Sequence, residues 1–316
     1  MGILKEKFSN FAEYFGVRSS SYYHAETPAN YDPSDFLAYY IDESGRADYP
    51  GPYDDDNIPM YLSGGQPYYF PILTCLCALA HLERYRRDDD PDDRQFFLNA
   101  NKRLVDDQNE DGAWLIDLPM KKYNLKSGWS SAMMQGLGIS CLTRAHRLTG
   151  NMEYLEQARL AVEPFRKQLH EGGVTSTEDG LVFFEEYTSS PSHHVLNGFI
   201  FAMWGLYDLV RLIDDEEAHR LFDLGMETLI AWLPRYDTGY WSLYHIGDGI
   251  KNPATVHYHR LHIEQLTVMH AITSSTPLLG DKLLLEYRDR WVKYLHGRFN
   301  AMRTLPHKLL WTARRS

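Results

Sequence analysis

Residues 196–210 read LNGFIFAMWGLYDLV, an almost entirely apolar run with the length of a helix. A more polar helical pattern follows it near Glu216. The same pair of patterns recurs along the chain at a period of roughly 65 residues, which is longer than the usual helical-repeat period. First helices are predicted near Ser131, Val195 and Leu261, and second helices near Met152, Glu216 and Asp281. The opening run is therefore the first helix of one hairpin in a series.

An earlier hairpin completes the series. From Pro67 the run YYFPILTCLCALAHLERY carries apolar residues at helical spacing, and a second helix is predicted from about Asp92 to Asp107. Hairpins with apolar first helices can close into a ring that has those helices inside and the polar helices outside. The sequence therefore predicts an all-α fold, an α/α barrel (toroid) of about four helical hairpins. An open superhelix has the same periodicity and is the alternative.

Residues 1–66 differ in character from the rest of the chain. The stretches YDPSD, DYPGPYDDD and LSGGQP supply turn residues in quick succession and show little helical periodicity. They predict a small irregular or β-containing N-terminal extension over residues 1–66. This extension is expected to pack on a barrel domain over residues 67–316.

Composition excludes several classes of function. The 316 residues carry a net charge of −11, which argues against a general nucleic-acid binder because phosphate neutralisation needs a basic surface. The spacing of the 3 cysteines fits neither a zinc site nor a disulfide framework. The chain lacks a Gly-rich phosphate loop after a strand, so no cofactor is implied, and the acidic runs at 54–56 and 88–90 are typical of solvated surface, so no metal is implied. No apolar run long enough to span a bilayer and no secretory signal is recognised, so a cytoplasmic location is expected.

The connections indicate where function lies. Turns within hairpins are short, whereas the links between successive hairpins run to about 20 residues, well beyond usual loop lengths. In a ring of this topology the long links emerge at one end. Each link holds a strand-like aromatic run: GAWLID, GLVFFEEYT and GYWSLYHI. A cleft lined by separate loops is therefore predicted at that end.

Two motifs within these links carry candidate chemistry. In an extended run Glu185 and Glu186 point to opposite faces, and Tyr187 lies opposite Glu186. His259 and His262, three residues apart at the start of a helix, are predicted to face one cavity. A hydrogen-bonding histidine pair is favoured over a metal site, because no third ligand accompanies it.

A further motif gives information on the fold. The pattern Gln108-x-x-Asp111-Gly112-x-Trp114 resembles a turn signature of several α/α barrels, in which the glutamine and the tryptophan tie a helix end to the following loop. It carries little information on function.

Six collinear blocks resemble the C-terminal catalytic domain of the D-glucuronyl C5-epimerases. They are GWSSAM-x-QG from Gly128, EEY from Glu185, LNGF from Leu196, GLYDL from Gly205, YDTG from Tyr236 and YH-x-x-HI-x-QL from Tyr258. The resemblance is clear from about Gly128 to Trp291, with a weaker echo from Gln66 to Ala78. It implies an α/α barrel and a reaction that inverts C5 of D-glucuronic acid to L-iduronic acid within a heparosan-like polysaccharide.

The resemblance also implies roles for individual residues. The proton-transfer groups carried over by motif are Glu186, Tyr187, Tyr244 and Tyr258. Substrate contacts are expected from Gln66, Trp129, Gln135, Asn197, His245, His259, Arg260 and His262. One position departs from the family, which has an arginine where this chain has Gly247. Arg260 or a histidine such as His245 is expected to take over the substrate carboxylate, or the substrate differs.

The chemistry fits these residue types. A proton next to a carboxylate is removed only if the developing charge is stabilised, and inversion needs groups on both faces of the sugar. A tyrosine acts as a base only if its pKa is lowered, and His259, His262 and Arg260 are predicted to supply that effect. The chain is expected to bind an acidic polysaccharide and neither nucleic acid nor membrane, and a homodimer is left open.

Three alternatives stay open from sequence. A polysaccharide lyase removes the same proton but then expels the C4 substituent. A glycoside hydrolase is disfavoured because no partner acid for the glutamate pair is evident. A polysaccharide-binding toroid without activity is the alternative from another class, and Gly247 is the residue that favours it.

Overall fold

A computed structural model of the protein describes residues 26–247, 249–274, 281–297 and 299–315. In chain order the helices are α1 (Pro71–Asp88), α2 (Pro91–Asp107), α3 (Ala132–Thr149), α4 (Met152–Leu160), α5 (Glu163–Arg166), α6 (Leu196–Ile213), α7 (Glu216–Trp232), α8 (Val256–Thr273), α9 (Asp281–His296) and α10 (Asn300–Arg315). The strands are β1 (Met60–Ser63), β2 (Gln66–Tyr69), β3 (Thr175–Glu178), β4 (Leu181–Phe184), β5 (Leu243–His245) and β6 (Asn252–Pro253). They form separate antiparallel pairs, β1 with β2, β3 with β4, and β5 with β6.

The helices form the predicted α/α barrel. Helices α1, α3, α6 and α8 pack against one another in sequence order, and α2, α4, α7 and α9 each pack outside the helix that precedes them. The inner helices are the apolar ones, and α6 buries nearly every residue from Leu196 to Leu209. Helices α1 and α8 line the same cavity from its two sides. The hairpin prediction is confirmed, except that the predicted start of the first helix at Pro67 is wrong because residues 66–69 pair as strand β2.

Helix boundaries follow from short polar caps. The side chains of Asp90, Ser131, Asp215 and Thr255 each accept a hydrogen bond from a backbone N–H in the first turn of α2, α3, α7 and α8. Gly150 ends α3 with a φ of 73°, a left-handed conformation that glycine adopts without strain. The caps at Ser131 and Thr255 end two of the long links, whereas Asp90, Asp215 and Gly150 mark the short turns inside hairpins at the other end of the ring.

The turn signature in the first link ties elements together as predicted. Gln108 donates to the carbonyl oxygens of Gly112 and Gln157 at 3.0 and 3.1 Å. Trp114 Nε1 donates to the carbonyl of Leu104 at the end of α2, at 2.7 Å. The aromatic run in this link is not a regular strand, as only an isolated bridge joins Ile116 to Trp129. The runs in the other two links contain β4 and β5.

The described part of the N-terminal extension joins the first and last inner helices. Tyr39 N donates to Glu83 on α1 at 3.0 Å, and Ala29 N donates to Glu264 on α8 at 3.0 Å. Between these points Tyr40 donates to Asp208 on α6 at 2.8 Å. The extension therefore crosses the ring near the C-terminal ends of α1 and α6 and near the middle of α8.

A buried ion pair anchors that crossing. Arg144 on α3 and Asp208 on α6 are both fully buried, and Arg144 Nη1 lies 2.6 Å from Asp208 Oδ2. Arg144 also donates to the carbonyl of Ala38 at 3.0 Å and packs against the rings of Tyr39 and Tyr40. The extension is thus held to the ring by its contacts with one buried ion pair between two inner helices.

Helix α6 corrects one expectation from the sequence. By length and composition alone Leu196–Ile213 is apolar enough to cross a membrane. In the fold 72% of it is buried between other helices, which is the ordinary environment of a core helix.

Candidate active site

A cavity of about 280 Å³ lies at the end of the ring where the long links gather. Link residues Leu118, Met120 and Trp129 form one wall. Glu186 and Tyr187 from the second link, and His257 and Tyr258 at the start of α8, form others. The links therefore meet around one cavity, as the sequence predicted. Its size is near the lower end of small-molecule sites.

Glu186 is the central carboxyl group of the cavity. Its Oε1 accepts a hydrogen bond from Tyr244 at 3.3 Å, and its Oε2 accepts one from Asn197 at 3.4 Å. Burial raises the pKa of Glu186 to about 7, although hydrogen bonds from Tyr187, Tyr244 and Asn197 act in the opposite direction. A carboxyl group in this state can take up or release a proton near neutral pH.

Glu185 has a separate, structural environment. It is fully buried, with Ser176 Oγ 2.6 Å and His194 Nδ1 2.7 Å from its Oε1. Burial lowers the pKa of His194, but its ion pairs with Glu185 and Glu178 outweigh this and the pKa is raised. The pair of glutamates is thus divided as predicted, and only Glu186 lines the cavity.

One detail of that prediction is wrong. Tyr187 was expected to lie opposite Glu186, but both residues line the cavity. The reason is that β4 ends at Phe184, and the chain bends at residues 186 and 187. The alternation of an extended strand therefore does not apply to them.

Three tyrosines surround Glu186. The hydroxyl oxygens of Tyr187 and Tyr244 lie 3.5 Å apart, and the rings of Tyr244 and Tyr258 pack edge to face with centroids 4.8 Å apart. Tyr187 and Tyr258 line the cavity, whereas Tyr244 reaches it through Glu186. The four residues assigned to proton transfer come from the second link, the third link and the start of α8, and the fold brings them together.

The phenols are held in the protonated state. Burial raises the pKa of Tyr258 to about 12, with Glu186 adding to the increase and Arg46 opposing it. Burial and Glu186 also raise the pKa values of Tyr187 and Tyr244 well above their usual range. These tyrosines are therefore hydrogen-bond donors at neutral pH, and the prediction of a lowered tyrosine pKa does not hold in this arrangement.

His259 and His262 lie away from the cavity. Ser242 Oγ lies 2.8 Å from His259 Nδ1 and 3.0 Å from His262 Nδ1, and His259 Nε2 lies 3.1 Å from the carbonyl oxygen of Trp291. Burial lowers the pKa of His259 to about 3 and that of His262 well below its usual range. Both imidazoles are neutral, so they hold the third link against α9 and supply no positive charge to a tyrosine.

The other predicted substrate contacts divide between cavity and surroundings. Trp129 and Asn197 line the cavity. Gln135 is fully buried and binds the carbonyls of Gly112 and Ala161. The remaining three lie elsewhere: Gln66 is exposed on β2, His245 is buried in β5, and Arg260 is 55% exposed and faces Glu26. The structure thus gives Gln135 a structural role and places Arg260 outside the cavity.

Sequence reasoning missed Arg46, which lines the cavity, and Tyr123, which packs on a residue of the cavity wall. Arg46, in a 3-10 turn over Ser44–Asp48 of the extension, lines the cavity and pairs with the buried Glu43. Tyr123 stacks on Tyr187 with ring centroids 3.8 Å apart. Neither lies in a periodic stretch or in a block of the resemblance. Their only signal was the richness of the surrounding loops in tyrosine and turn residues.

The family described as D-glucuronyl C5-epimerase C-terminus matches residues 108–293, more than half of the chain. The chain belongs to this family. The matched range holds the four residues assigned to proton transfer, so the resemblance inferred from short blocks is confirmed at the level of the family.

Individual relatives extend the comparison. The chain is 35% identical over 222 residues to the D-glucuronyl C5-epimerase of Caenorhabditis elegans, covering 64% of this chain and 35% of that protein. It is 30% identical over 182 residues to an uncharacterised protein of Methanocaldococcus jannaschii, covering 56% of each. The chain therefore spans about a third to about half the length of these relatives. A crystal structure of an unsaturated glucuronyl hydrolase from Bacillus sp. GL1 aligns with a TM-score of 0.48 and 13% identity, covering 71% of this chain and 61% of that one.

The geometry explains the departure at Gly247. This glycine has a φ of 116°, and a Cβ atom there would lie 2.8 Å from His194 Cδ2 and 2.8 Å from the carbonyl oxygen of Ser192. Any larger side chain is strained in this conformation and clashes with fixed neighbours. An arginine, which the sequence resemblance implies at this position, therefore does not fit the backbone conformation of residue 247.

A test of how Glu186 is positioned follows from Gly198 on α6. A Cβ atom at Gly198 would lie 2.3 Å from Glu186 Oε2 and 2.6 Å from Glu186 Cβ. In Gly198→Ala we expect Glu186 to be displaced and turnover to fall by up to about a hundredfold, as misplacement of a reacting group by about 1 Å can have that effect. Turnover is measured beside the free energy of unfolding in urea, which we expect to fall by about 1–3 kcal/mol.

The matched control is Gly225→Ala on α7. Its added methyl would meet Met203 and Phe184 at 3.2 Å, away from Glu186. We expect it to change stability with little effect on turnover. Equal turnover in the two alanine variants would contradict the positioning role of Gly198.

Proposed function

We propose that this protein is an epimerase that inverts C5 of D-glucuronic acid units to L-iduronic acid within a heparosan-like polysaccharide. The observation that carries the proposal is a single cavity in which Glu186, whose pKa is near neutrality, faces protonated tyrosines from other elements. The family match and the D-glucuronyl C5-epimerase of C. elegans support the reaction class. The D-glucuronyl unit is proposed from the name of that enzyme, and the heparosan-like polymer from the resemblance of the six sequence blocks.

Glu186 is the proposed base. The C5 proton of a glucuronate unit passes to Glu186, and the electron pair of the C5–H bond is left on C5, next to the carboxylate. Because the pKa values of Tyr187, Tyr244 and Tyr258 are all raised, the phenols cannot take that proton in the resting site. The hydrogen bond from Tyr244 to Glu186, at 3.3 Å, orients the carboxylate.

Tyr258 is the proposed acid. It stands at the start of α8, whereas Glu186 is on the second link, so the two groups approach a bound sugar from different elements. Its O–H donates a proton to C5 from the face opposite to Glu186, and the configuration inverts. A protonated phenol suits this step, because it holds its proton until the carbanion has formed.

The decisive experiment follows deuterium and absorbance together. The protein is incubated with heparosan in deuterium oxide, and C5 labelling is read by NMR while ultraviolet absorbance is recorded in the same sample. Label at C5 together with iduronic acid and constant absorbance would support the epimerase. Rising absorbance would reveal unsaturated products and hence a lyase, and binding without label would leave a polysaccharide-binding toroid.

The pH dependence tests the assignment of Glu186 as base. Burial raises the pKa of Glu186 to about 7, so the carboxylate form required of a base is lost as pH falls through 7. We therefore expect kcat/KM for C5 exchange to rise between about pH 6 and pH 8 and to level off above it. The profile is measured at constant ionic strength. A fall in kcat/KM over the same range would mean that Glu186 acts as the acid instead.

A further inference from the structure

The reaction proposed above needs a positive charge beside the substrate carboxylate. Removing the C5 proton places negative charge next to an existing carboxylate, and a fixed cation is the usual way to stabilise it. The resemblance implies an arginine where this chain has Gly247, and a Cβ atom at that position would meet His194 and Ser192 at 2.8 Å. Arg260, the nearest candidate by sequence, is 55% exposed and faces Glu26. The cation must come from another element.

Arg46 lies where that charge is needed. Among the described residues that line the cavity, it is the one with a permanent charge. It shares the wall with Glu186, Tyr258 and Asn197, and its charge acts on Tyr258 by opposing the rise in the pKa of that phenol. A carboxylate attached to C5 lies within two bonds of the reacting carbon. A group that holds it must therefore share the cavity with the base and the acid, and Arg46 lines the same cavity as Glu186 and Tyr258.

The local structure preorganises this side chain. Arg46 is 8% exposed, and its Nε pairs with Glu43, whose carboxylate is completely buried. Tyr49 N donates to the Arg46 carbonyl at 3.3 Å, which closes the 3-10 turn. A guanidinium has five N–H donors, so one arginine can donate to more than one acceptor group. Arginine also suits this task because its planar fork matches a carboxylate.

We propose that Arg46, supplied by the N-terminal extension, binds the carboxylate of the uronic acid unit and takes the place of the arginine missing at position 247. This inference rests on the proposed function. It assigns a substrate-binding role to a residue outside the family-matched range of 108–293. The extension is then part of the active site as well as a brace for the ring.

The test compares two polymers that differ only in the carboxylate. Binding of heparosan and of carboxyl-reduced heparosan is measured by calorimetry at fixed salt for each variant. We expect the unmodified protein to prefer heparosan by about tenfold to a hundredfold, the range expected for a hydrogen-bonded charge pair. In Glu43→Gln/Arg46→Met we expect the preference to disappear, because the double change removes the guanidinium without leaving the Glu43 carboxylate unpaired.

Three further variants sharpen the outcome. Glu43→Gln alone keeps the guanidinium and an amide oxygen that can accept from Arg46 Nε, so we expect it to retain most of the preference. Arg84→Met removes an arginine of α1 that pairs with Asp48 in the same 3-10 turn as Arg46. We expect the Arg84→Met protein to keep the preference for heparosan. Arg46→Lys keeps the charge without the fork and should retain part of the preference. Thermal unfolding of each variant checks that the fold is intact.

The possible results separate the two proposals. A preference for heparosan that survives in Glu43→Gln/Arg46→Met, or that is absent from the unmodified protein, would overturn the role of Arg46. If the preference is lost in Arg260→Met and not in Glu43→Gln/Arg46→Met, Arg260 binds the substrate carboxylate and the proposal for Arg46 is wrong. If Arg46 controls the preference but no deuterium enters C5, the role of Arg46 stands and the epimerase proposal is wrong.

Discussion

Glu186→Gln is expected to lower C5 deuterium exchange by about a hundredfold to ten-thousandfold, the usual contribution of a general base. Glutamine has nearly the same shape and can still accept the hydrogen bond that Tyr244 donates to Oε1. It cannot take up a proton, so the loss reports on proton transfer alone. The measurement is the initial rate of C5 labelling of heparosan in deuterium oxide, with polymer affinity measured in parallel.

This measurement has a matched control. Glu185→Gln changes the neighbouring carboxylate, which binds Ser176 and His194 and does not line the cavity. We expect it to affect stability more than exchange, because its partners are structural. A Glu186→Gln protein that labels C5 at near the original rate would remove Glu186 from the mechanism and transfer the role of base to a tyrosine.

Arg144→Met is expected to lower the free energy of unfolding by about 3–5 kcal/mol, because the buried carboxylate of Asp208 loses its nearest cation and keeps only the Tyr40 hydroxyl and, at 3.9 Å, Arg211. Both members of the pair are 0% exposed. The change also removes the donor to the Ala38 carbonyl and the packing against Tyr39 and Tyr40. Urea unfolding followed by tryptophan fluorescence measures the difference.

The matched double variant separates charge from packing. Arg144→Met/Asp208→Leu removes both charges, and we expect it to be more stable than the sum of the single changes predicts. Arg103→Met breaks an ion pair with Asp107 whose partners are 30% and 41% exposed, and it should cost less than about 1 kcal/mol. If Arg144→Met lowers the free energy of unfolding by as little as Arg103→Met does, the buried pair does not anchor the extension to the ring.

The repeated hairpins were predictable because their periodicity is a local property of sequence. An apolar run such as LNGFIFAMWGLYDLV buries itself as an inner helix, and the caps at Ser131 and Asp215 mark where helices begin. The positions of Glu186 and Tyr258 followed from their motifs and from the topology that gathers the long links at one end. Neither inference required knowledge of distant contacts.

The misplaced histidines show where local periodicity stops. His259 and His262 do share a face of α8, as their spacing predicted, but that face meets Trp291 of α9. Tyr258 and Leu261, one position earlier, line the cavity instead. Successive helical residues point about 100° apart. An error of one residue in the predicted orientation of α8 therefore moves a side chain from the cavity to the core. Only packing against a second element decides that orientation.

Arg46 could not be found for a different reason. It lies in a turn-rich segment without periodicity, and its place on the cavity wall depends on the path of the extension across the ring. That path is fixed by contacts with α1, α3, α6 and α8, which are far away in sequence. Loop conformation set by such distant contacts is not encoded in local patterns.

The crossing of the extension has a consequence for the order of folding. The hydrogen bond from Ala29 to Glu264 joins residues 235 positions apart, whereas the helix pairs of the ring are neighbours in the chain. During synthesis the hairpins can form one after another, but the amino-terminal brace has nothing to bind at its far side until α8 has left the ribosome. Closing so long a loop is slow compared with pairing adjacent helices. The half-made barrel therefore exposes its apolar inner helices until the last hairpin arrives, and that interval is when the chain is most exposed to aggregation.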